Sequence, residues 1–171
     1  MKKTIIAFLA AILLIGSAWA ADVKLVAMRS KFIEASGQIK SSLASSKDVV
    51  VLTSLFDSCM ITITELDAYF SMVGIFEQNK TGAPSNVSLA YLTSWLETMK
   101  KNNALNISSI QGLTKDMEPG TLTHMNKLKT YFGELNVNLE DELRRVNALK
   151  KGAVSQASAV KPAAAKSTGR K

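Results

Sequence analysis

TLTHMNKLKTYFGELNVNLEDELRRVNALKK, residues Thr121 to Lys151, decides the fold. Leu122, Met125, Leu128, Phe132, Leu135, Leu139, Leu143, Val146 and Leu149 recur every three or four positions, which sets them on one face of an α-helix. Lys127, Lys129, Glu134, Glu140, Asp141, Arg144 and Arg145 occupy the opposite face. Such a helix, roughly 45 Å long at ~1.5 Å per residue, cannot bury its apolar stripe alone. It requires partner helices. Pro119-Gly120 precedes the stretch and Gly152 follows it, so Thr121 is the expected N-cap and Gly152 the expected residue just past the end. Lys150 and Lys151 then fall in the last turn, where they oppose the negative end of the helix dipole. Glu140 with Arg144, and Asp141 with Arg145, have the i,i+4 spacing and orientation of helix-stabilising ion pairs.

Three upstream segments can supply the partners. From about Asp22 to Ser42, Leu25, Met28, Phe32, Ala35, Ile39 and Leu43 step by three and four, a coiled-coil type of seam with Lys24, Arg29, Lys31 and Lys40 facing out. A Ser-rich break follows, and Ser46 or Asp48 can cap a second helix. Its stripe is Leu52, Leu55, Cys59, Ile63, Leu66, Phe70 and Val73. Val49-Val50-Val51 and Ile61-Thr62-Ile63-Thr64 favour a strand locally, but the three-four pattern extends far beyond strand length. Extra apolar residues (Val50, Phe56, Ile61, Tyr69, Phe76) widen the stripe and predict more than one neighbour. Gln78 to Ser85 reads as a loop around Asn79, Gly82 and Pro84. Asn86 or Ser85 can cap the third helix, whose stripe of Leu89, Leu92, Trp95, Leu96 and Met99 falters at Asn102-Asn103. Residues 104–118 continue it after a kink or form a separate short helix, and Glu118-Pro119-Gly120 ends the segment.

The two ends of the chain differ in kind from this body. Lys2 and Lys3, the apolar run Ile5 to Ile15 and Ala18-Trp19-Ala20 resemble a bacterial Sec-type signal peptide, with cleavage expected between Ala20 and Ala21. An uncleaved anchor is the competing reading, but the apolar run is short for a membrane span. No Cys follows the cleavage site, so a lipoprotein anchor has no attachment point. The expected location is therefore periplasmic or secreted. Residues 152–171 are mostly Ala, Ser, Lys and Pro, with only two valines and no aromatic, too little apolar surface to offset ordering entropy, so they read as a disordered Ala/Lys-rich basic tail. The expected organisation is a signal peptide over 1–20, a helical domain over 21–151 and the tail over 152–171.

Charge follows the same division. The formal net charge is +7, yet from Asp22 to Leu149 thirteen basic residues face fourteen acidic ones. The basicity belongs to the ends. Lys150, Lys151, Lys161, Lys166, Arg170 and Lys171 are the candidate contacts to an anionic envelope surface, by counterion release without sequence reading. No aromatic accompanies them, so neither base stacking nor sequence-specific nucleic-acid binding is expected. A purely solubilising tail competes with that role. Residues 49–76 are the most apolar stretch, but Asp57, Glu65 and Asp67 interrupt them, so a buried helix explains them better than a transmembrane one.

The chemistry-bearing residues are few. Cys59 is the sole cysteine and His124 the sole histidine. Cys59 lies on the second helix's apolar stripe and reads as a buried, inert thiol, with an intermolecular disulfide as the competing role. His124 flanks the last helix's seam. Position 121 is Thr, so the Glu-x-x-His spacing of carboxylate-bridged bundles is absent. A b-type haem held by His124 with Met60 or Met117 ranks low, and no cofactor is expected. Glu140-Asp141-Glu142 and Glu65-Asp67 read as solvated faces, because neighbours on a helix diverge by ~100°. No phosphate-binding Gly-rich loop or Gly-x-Ser-x-Gly elbow occurs.

The expected architecture is all-α: an antiparallel up-down four-helix bundle with coiled-coil-like seams. Three helices with an irregular third segment is the alternative. The expected function is non-enzymatic, an interaction protein that meets a protein partner or itself through helix faces. Phe56, Tyr69, Phe76 and Trp95 are expected to fill a wide core, a docking face being their other use. A carrier of an apolar small ligand in the bundle interior is the second reading, and a haem or metal protein the third.

Overall fold

A computed structural model of the chain describes residues 23–78, 85–113 and 116–159. The N-terminal segment and residues 160–171 lie outside these, as does most of the expected loop after Gln78. Four helices carry the described residues, with no strand among them: α1 (Val23–Leu43), α2 (Val49–Gln78), α3 (Asn86–Gly112) and α4 (Pro119–Ala159). The protein is all-α. Each helix packs against the next, α4 closes back on α1, and α2 and α4 touch across the middle. The packing is bundle-like.

Most of the seam residues read from the sequence are buried, while Leu43, Phe70, Trp95, Leu122, Leu143 and Leu149 lie at the edge, only partly covered. Leu25, Met28, Phe32, Ala35 and Ile39 of α1 meet Leu52, Leu55, Cys59, Leu66 and Val73 of α2. Leu89, Leu92, Leu96 and Met99 of α3 and Met125, Leu128, Phe132, Leu135, Leu139 and Val146 of α4 complete the core. Phe32 and Phe132 lie at its centre with ring centroids 5.0 Å apart, and Tyr131 meets Phe32 edge-on. On α2 the innermost aromatic is Tyr69, fully buried, while Phe70 is only partly covered. The seam steps from Leu66 to Tyr69 to Val73, and that three-four step carries Phe70 to its flank.

α3 runs unbroken through the point where its pattern falters. Asn103 is buried and its Nδ2 donates to the Phe132 carbonyl of α4 at 2.8 Å; Asn102 Nδ2 donates to Glu65 Oε1 of α2 at 2.6 Å. The two asparagines are polar bridges to both neighbouring helices. Of the two alternatives for 104–118, the chain takes continuation: the same helix runs on to Gly112, and no separate helix forms there among the described residues. Ile110 is buried, and the helix ends after Gly112, where Leu113 N–H donates to the Ile110 carbonyl. Ser85 is the N-cap, accepting from Ser88 N at 3.1 Å.

Helix α4 differs from expectation at both ends. It begins at Pro119, and Leu122 N–H donates to the Glu118 carbonyl, so Glu118 stands at the N-cap and Pro119 at N1. Proline is pre-organised there and its missing N–H is no loss. Thr121 is therefore inside the first turn, where it is buried. Glu118 is freed to tie two connections together. Its carboxylate accepts from Ser46 Oγ at 2.6 Å and Lys47 N at 3.2 Å, while its own N–H donates to Asp48 Oδ2 at 2.8 Å. At the other end the helix passes through Gly152 to Ala159. Glycine inside a helix costs ~1 kcal/mol relative to alanine, and the alanines beyond it are strong helix formers. Gly152 does not terminate α4, and the backbone of the expected disordered tail is helical as far as Ala159.

Candidate functional site

The candidate polyanion contacts are only partly described. Lys150 and Lys151 lie on α4, Lys151 exposed and Lys150 half-buried. Because α4 continues to Ala159, they are two turns short of its end and do not oppose its terminal carbonyls. Lys161, Lys166, Arg170 and Lys171 lie outside the described residues.

Cys59 and His124 sit apart. Cys59 is buried in the core seam, and burial pushes its thiol up to about 12, which keeps it protonated and unreactive. The ring Nε2 of His124 lies 3.0 Å from Ser42 Oγ at the end of α1. Burial first, and then the charge of Lys127, hold this imidazole below its ordinary value. Among the described residues no three His, Cys, Asp or Glu side chains gather as metal ligands would. Met60 is exposed and Met117 half-buried.

One of the acidic residues assigned to a solvated face is not solvated. Glu142 has no exposed surface. Tyr69 of α2 donates its hydroxyl to Glu142 Oε1. Arg145, one turn along α4, grips the same carboxylate from Nε to Oε2 at 2.7 Å and from Nη2 to Oε1 at 2.6 Å. Burial of the ring, helped by the negative charge of Glu142, raises the Tyr69 phenol well above its ordinary value. The bonds to Glu142 raise Arg145 further still. Tyr69 therefore stays neutral and Arg145 charged at any ordinary pH. Both carboxylate oxygens are occupied by donors, so the arrangement compensates a buried charge. The clue was in the spacing. Position 142 is three after Leu139 and four before Val146, so the buried seam runs through it and leaves Leu143 at the edge. The expected Asp141–Arg145 pair gives way to this bond. Asp141 instead takes Arg144 at 2.7 Å and Lys24 of α1 at 3.1 Å, and Glu140 takes Lys100 of α3 at 2.6 Å.

The aromatic residues weighed as a docking face belong to the core. Tyr69 is buried, Phe56, Phe76 and Trp95 pack against the core cluster, and Trp95 Nε1 donates to the Glu65 carbonyl at 3.2 Å. A different set of residues makes α2 unusual. Val50, Ile61 and Ile75 are 83%, 55% and 56% exposed, and Val49 and Met60 are exposed beside them. Val26 and Ile33 of α1 extend this surface, since they flank Arg29, which bonds Asp67 of α2. Among the described residues, Val49–Phe76 is the one stretch long and apolar enough to cross a membrane by length and composition, and only a third of it is buried. The excess apolarity lies on the outside.

No protein-family model matches this chain, and comparison with curated proteins and with solved structures finds no match either.

Proposed function

We propose that this chain is a non-enzymatic interaction protein. It folds as an antiparallel up-down four-helix bundle, reaches the periplasm or the exterior behind a cleaved signal peptide, and docks through the outward face of α2. The basic tail, from Lys150 and Lys151 through Lys161, Lys166, Arg170 and Lys171, adds an electrostatic contact to an anionic envelope surface. The observation that carries this reading is the exposed row Val50, Ile61 and Ile75 on a helix whose opposite side fills the core. Large apolar side chains left exposed along one face of a folded domain, here interleaved with Ser54, Asp57, Thr64 and Ser71, mark a contact site. The antiparallel bundle is supported by the α1–α4 seam. Lys24 pairs with Asp141, Lys31 with Glu134, Glu34 with Lys127, and Ser42 with His124, so partner numbers fall along α4 as they rise along α1.

The test is capture from an envelope extract at two salt concentrations, using the intact chain, Ile61→Asp and a chain cut after Gly152. Salt-insensitive capture abolished by Ile61→Asp is the expected result for the helix face. Capture lost at high salt or on truncation assigns binding to the tail. Capture indifferent to all three changes refutes both contacts.

A further inference from the structure

Helix α2 carries rows of three-four spacing on opposite sides, an inner apolar seam and an outer row in which Val50, Ile61 and Ile75 are spaced by small and polar residues. The inner one, Leu52, Leu55, Cys59, Thr62, Leu66, Tyr69 and Val73, is buried throughout. The outer one runs Val50, Ser54, Asp57, Ile61, Thr64, Ala68, Ser71 and Ile75, and steps by four and three without interruption. Every residue of it is exposed except Ala68, which is half-exposed. Nothing within the described residues covers it.

We propose that the outer seam is the contact between two copies of this chain, with the two α2 helices antiparallel. The proposal rests on the interaction reading above and names its partner. The seam is symmetric about its own midpoint, between Thr62 and Ile63. Reversed on a second copy, it sets Val50 against Ile75, Ser54 against Ser71, Asp57 against Ala68 and Ile61 against Thr64. Large residues then close both ends, and the middle matches an isoleucine to a threonine. That is the residue-to-residue reciprocity a two-fold interface demands.

Charge selects the same arrangement. Asp57 is the one charged residue of the seam and forms no ion pair among the described residues. In a parallel pair Asp57 would face Asp57, and like charges in one seam repel. In the antiparallel pair it faces alanine. The carboxylates at the borders are already held, Asp67 by Arg29 and Glu65 by Asn102. No lysine or arginine lies between Lys47 and Lys80, so the face offers an anionic lipid surface no cation.

Three polar members of the face, Thr53, Thr64 and Ser71, tolerate being covered. Thr64 Oγ1 donates to the Met60 carbonyl at 2.9 Å, Ser71 Oγ to the Asp67 carbonyl at 2.8 Å and Thr53 Oγ1 to the Val49 carbonyl at 2.8 Å. Their donors are satisfied inside α2, so a second copy orphans none of them. The length is sufficient as well. A strip of ~40 Å by ~20 Å, including the α1 border at Val26 and Ile33, offers roughly 800 Å² per copy, about the size of a standard interface.

The test is sedimentation velocity over a concentration series, on the protein in the form the cell makes, its N-terminus read by mass spectrometry. The wild type is expected to pass from monomer to dimer. Ile61→Asp is expected to remain monomeric with unchanged helical circular dichroism. Should that variant fail to fold, Val50→Asp with Ile75→Asp repeats the test at the seam's ends. Asp57→Ala, which removes an exposed unpaired charge from the seam, is expected to bring the midpoint to about tenfold lower concentration. Asp57→Cys with Ala68→Cys is expected to form an interchain disulfide that neither single variant forms. A wild type monomeric at every concentration overturns the proposal, as does a dimer untouched by Ile61→Asp. Cross-linking by Asp57→Cys alone overturns the antiparallel register. If the wild type is monomeric but captures another molecule in a manner abolished by Ile61→Asp, only the second copy is wrong. If Ile61→Asp alters neither self-association nor capture, docking through α2 fails with it.

Discussion

The two longest helices bury the same kind of stripe and present opposite kinds of surface. α4 turns charges outward and spends them on its neighbours: Asp141 on Lys24, Glu134 on Lys31, Lys127 on Glu34, Glu140 on Lys100. Lys31 of α1 also lies 5.3 Å from the Tyr131 ring of α4, tying the two helices along their shared edge, and Lys127 lies 5.6 Å from the same ring within α4. α2 turns Val50, Ile61 and Ile75 outward and has only Asp57, Glu65 and Asp67 as charges through its apolar stretch. Among the described residues the two helices meet at a polar cluster, Tyr69 of α2 with Glu142 and Arg145 of α4. The difference teaches that, among the described residues, burial inside the chain explains α4 apart from the exposed Val137 and explains α2 only by half. A helix apolar on both sides is either enclosed or waiting for something, and α2 is enclosed on one side.

The sharpest way to break the comparison is at the point where the helices meet. Glu142→Ala leaves Arg145 partly buried beside an unpartnered Tyr69 hydroxyl, and chemical denaturation is expected to show a loss of about 3–5 kcal/mol. A loss below 1 kcal/mol would mean that the buried carboxylate is not held as described. The next test sets the two sides of α2 against each other. Leu66→Ala removes a wholly buried side chain and is expected to lose about 2–5 kcal/mol. Ile61→Ala, on the outer seam, is expected to change stability by only about 0.5 kcal/mol when measured below the dimerisation range. Equal losses would erase the distinction between the seams. Tyr69→Phe keeps the ring and removes one donor to Glu142, for an expected loss of about 1–3 kcal/mol.

The smallest effect belongs to the far end of α4. His124 is held below its ordinary value of 6.5 by burial and by Lys127, so the unfolded chain takes up a proton there before the folded one does. Stability from this residue is complete above pH ~6.5 and is lost as pH falls through the lower, folded value. Thermal melts between pH 5 and 7 are expected to show a shallower pH slope for His124→Gln than for the wild type. An identical slope would show that His124 does not set it; Asp67, held below the usual carboxylate range by its bond to Arg29, is already ionised over this window and adds nothing to the slope.

The seams of all four helices were legible in the residues, because a three-four repeat needs nothing beyond its own spacing to define a face. The N-cap at Ser85 was legible for the same reason. The start of α4 was not legible, because Pro119-Gly120 has the composition of a stop, whereas Pro119 opens the helix. The continuity of α3 was not legible: Asn102 and Asn103 look like breakers until Glu65 and the Phe132 carbonyl stand opposite them. Glu142 was hidden by its composition. Among Glu140, Asp141 and Arg144 it reads as one more surface acid, although its position lies on the seam.

By itself, the sequence determined that the chain is helical and which face of each helix turns inward, since both depend on periodicity and local turn chemistry. Only the tertiary structure decided what stands opposite each face. It placed Tyr69 and Arg145 around Glu142, set the charges of α4 against α1 and α3, and left the outer seam of α2 uncovered. Those outcomes depend on distances between residues far apart in the chain, which no local pattern contains.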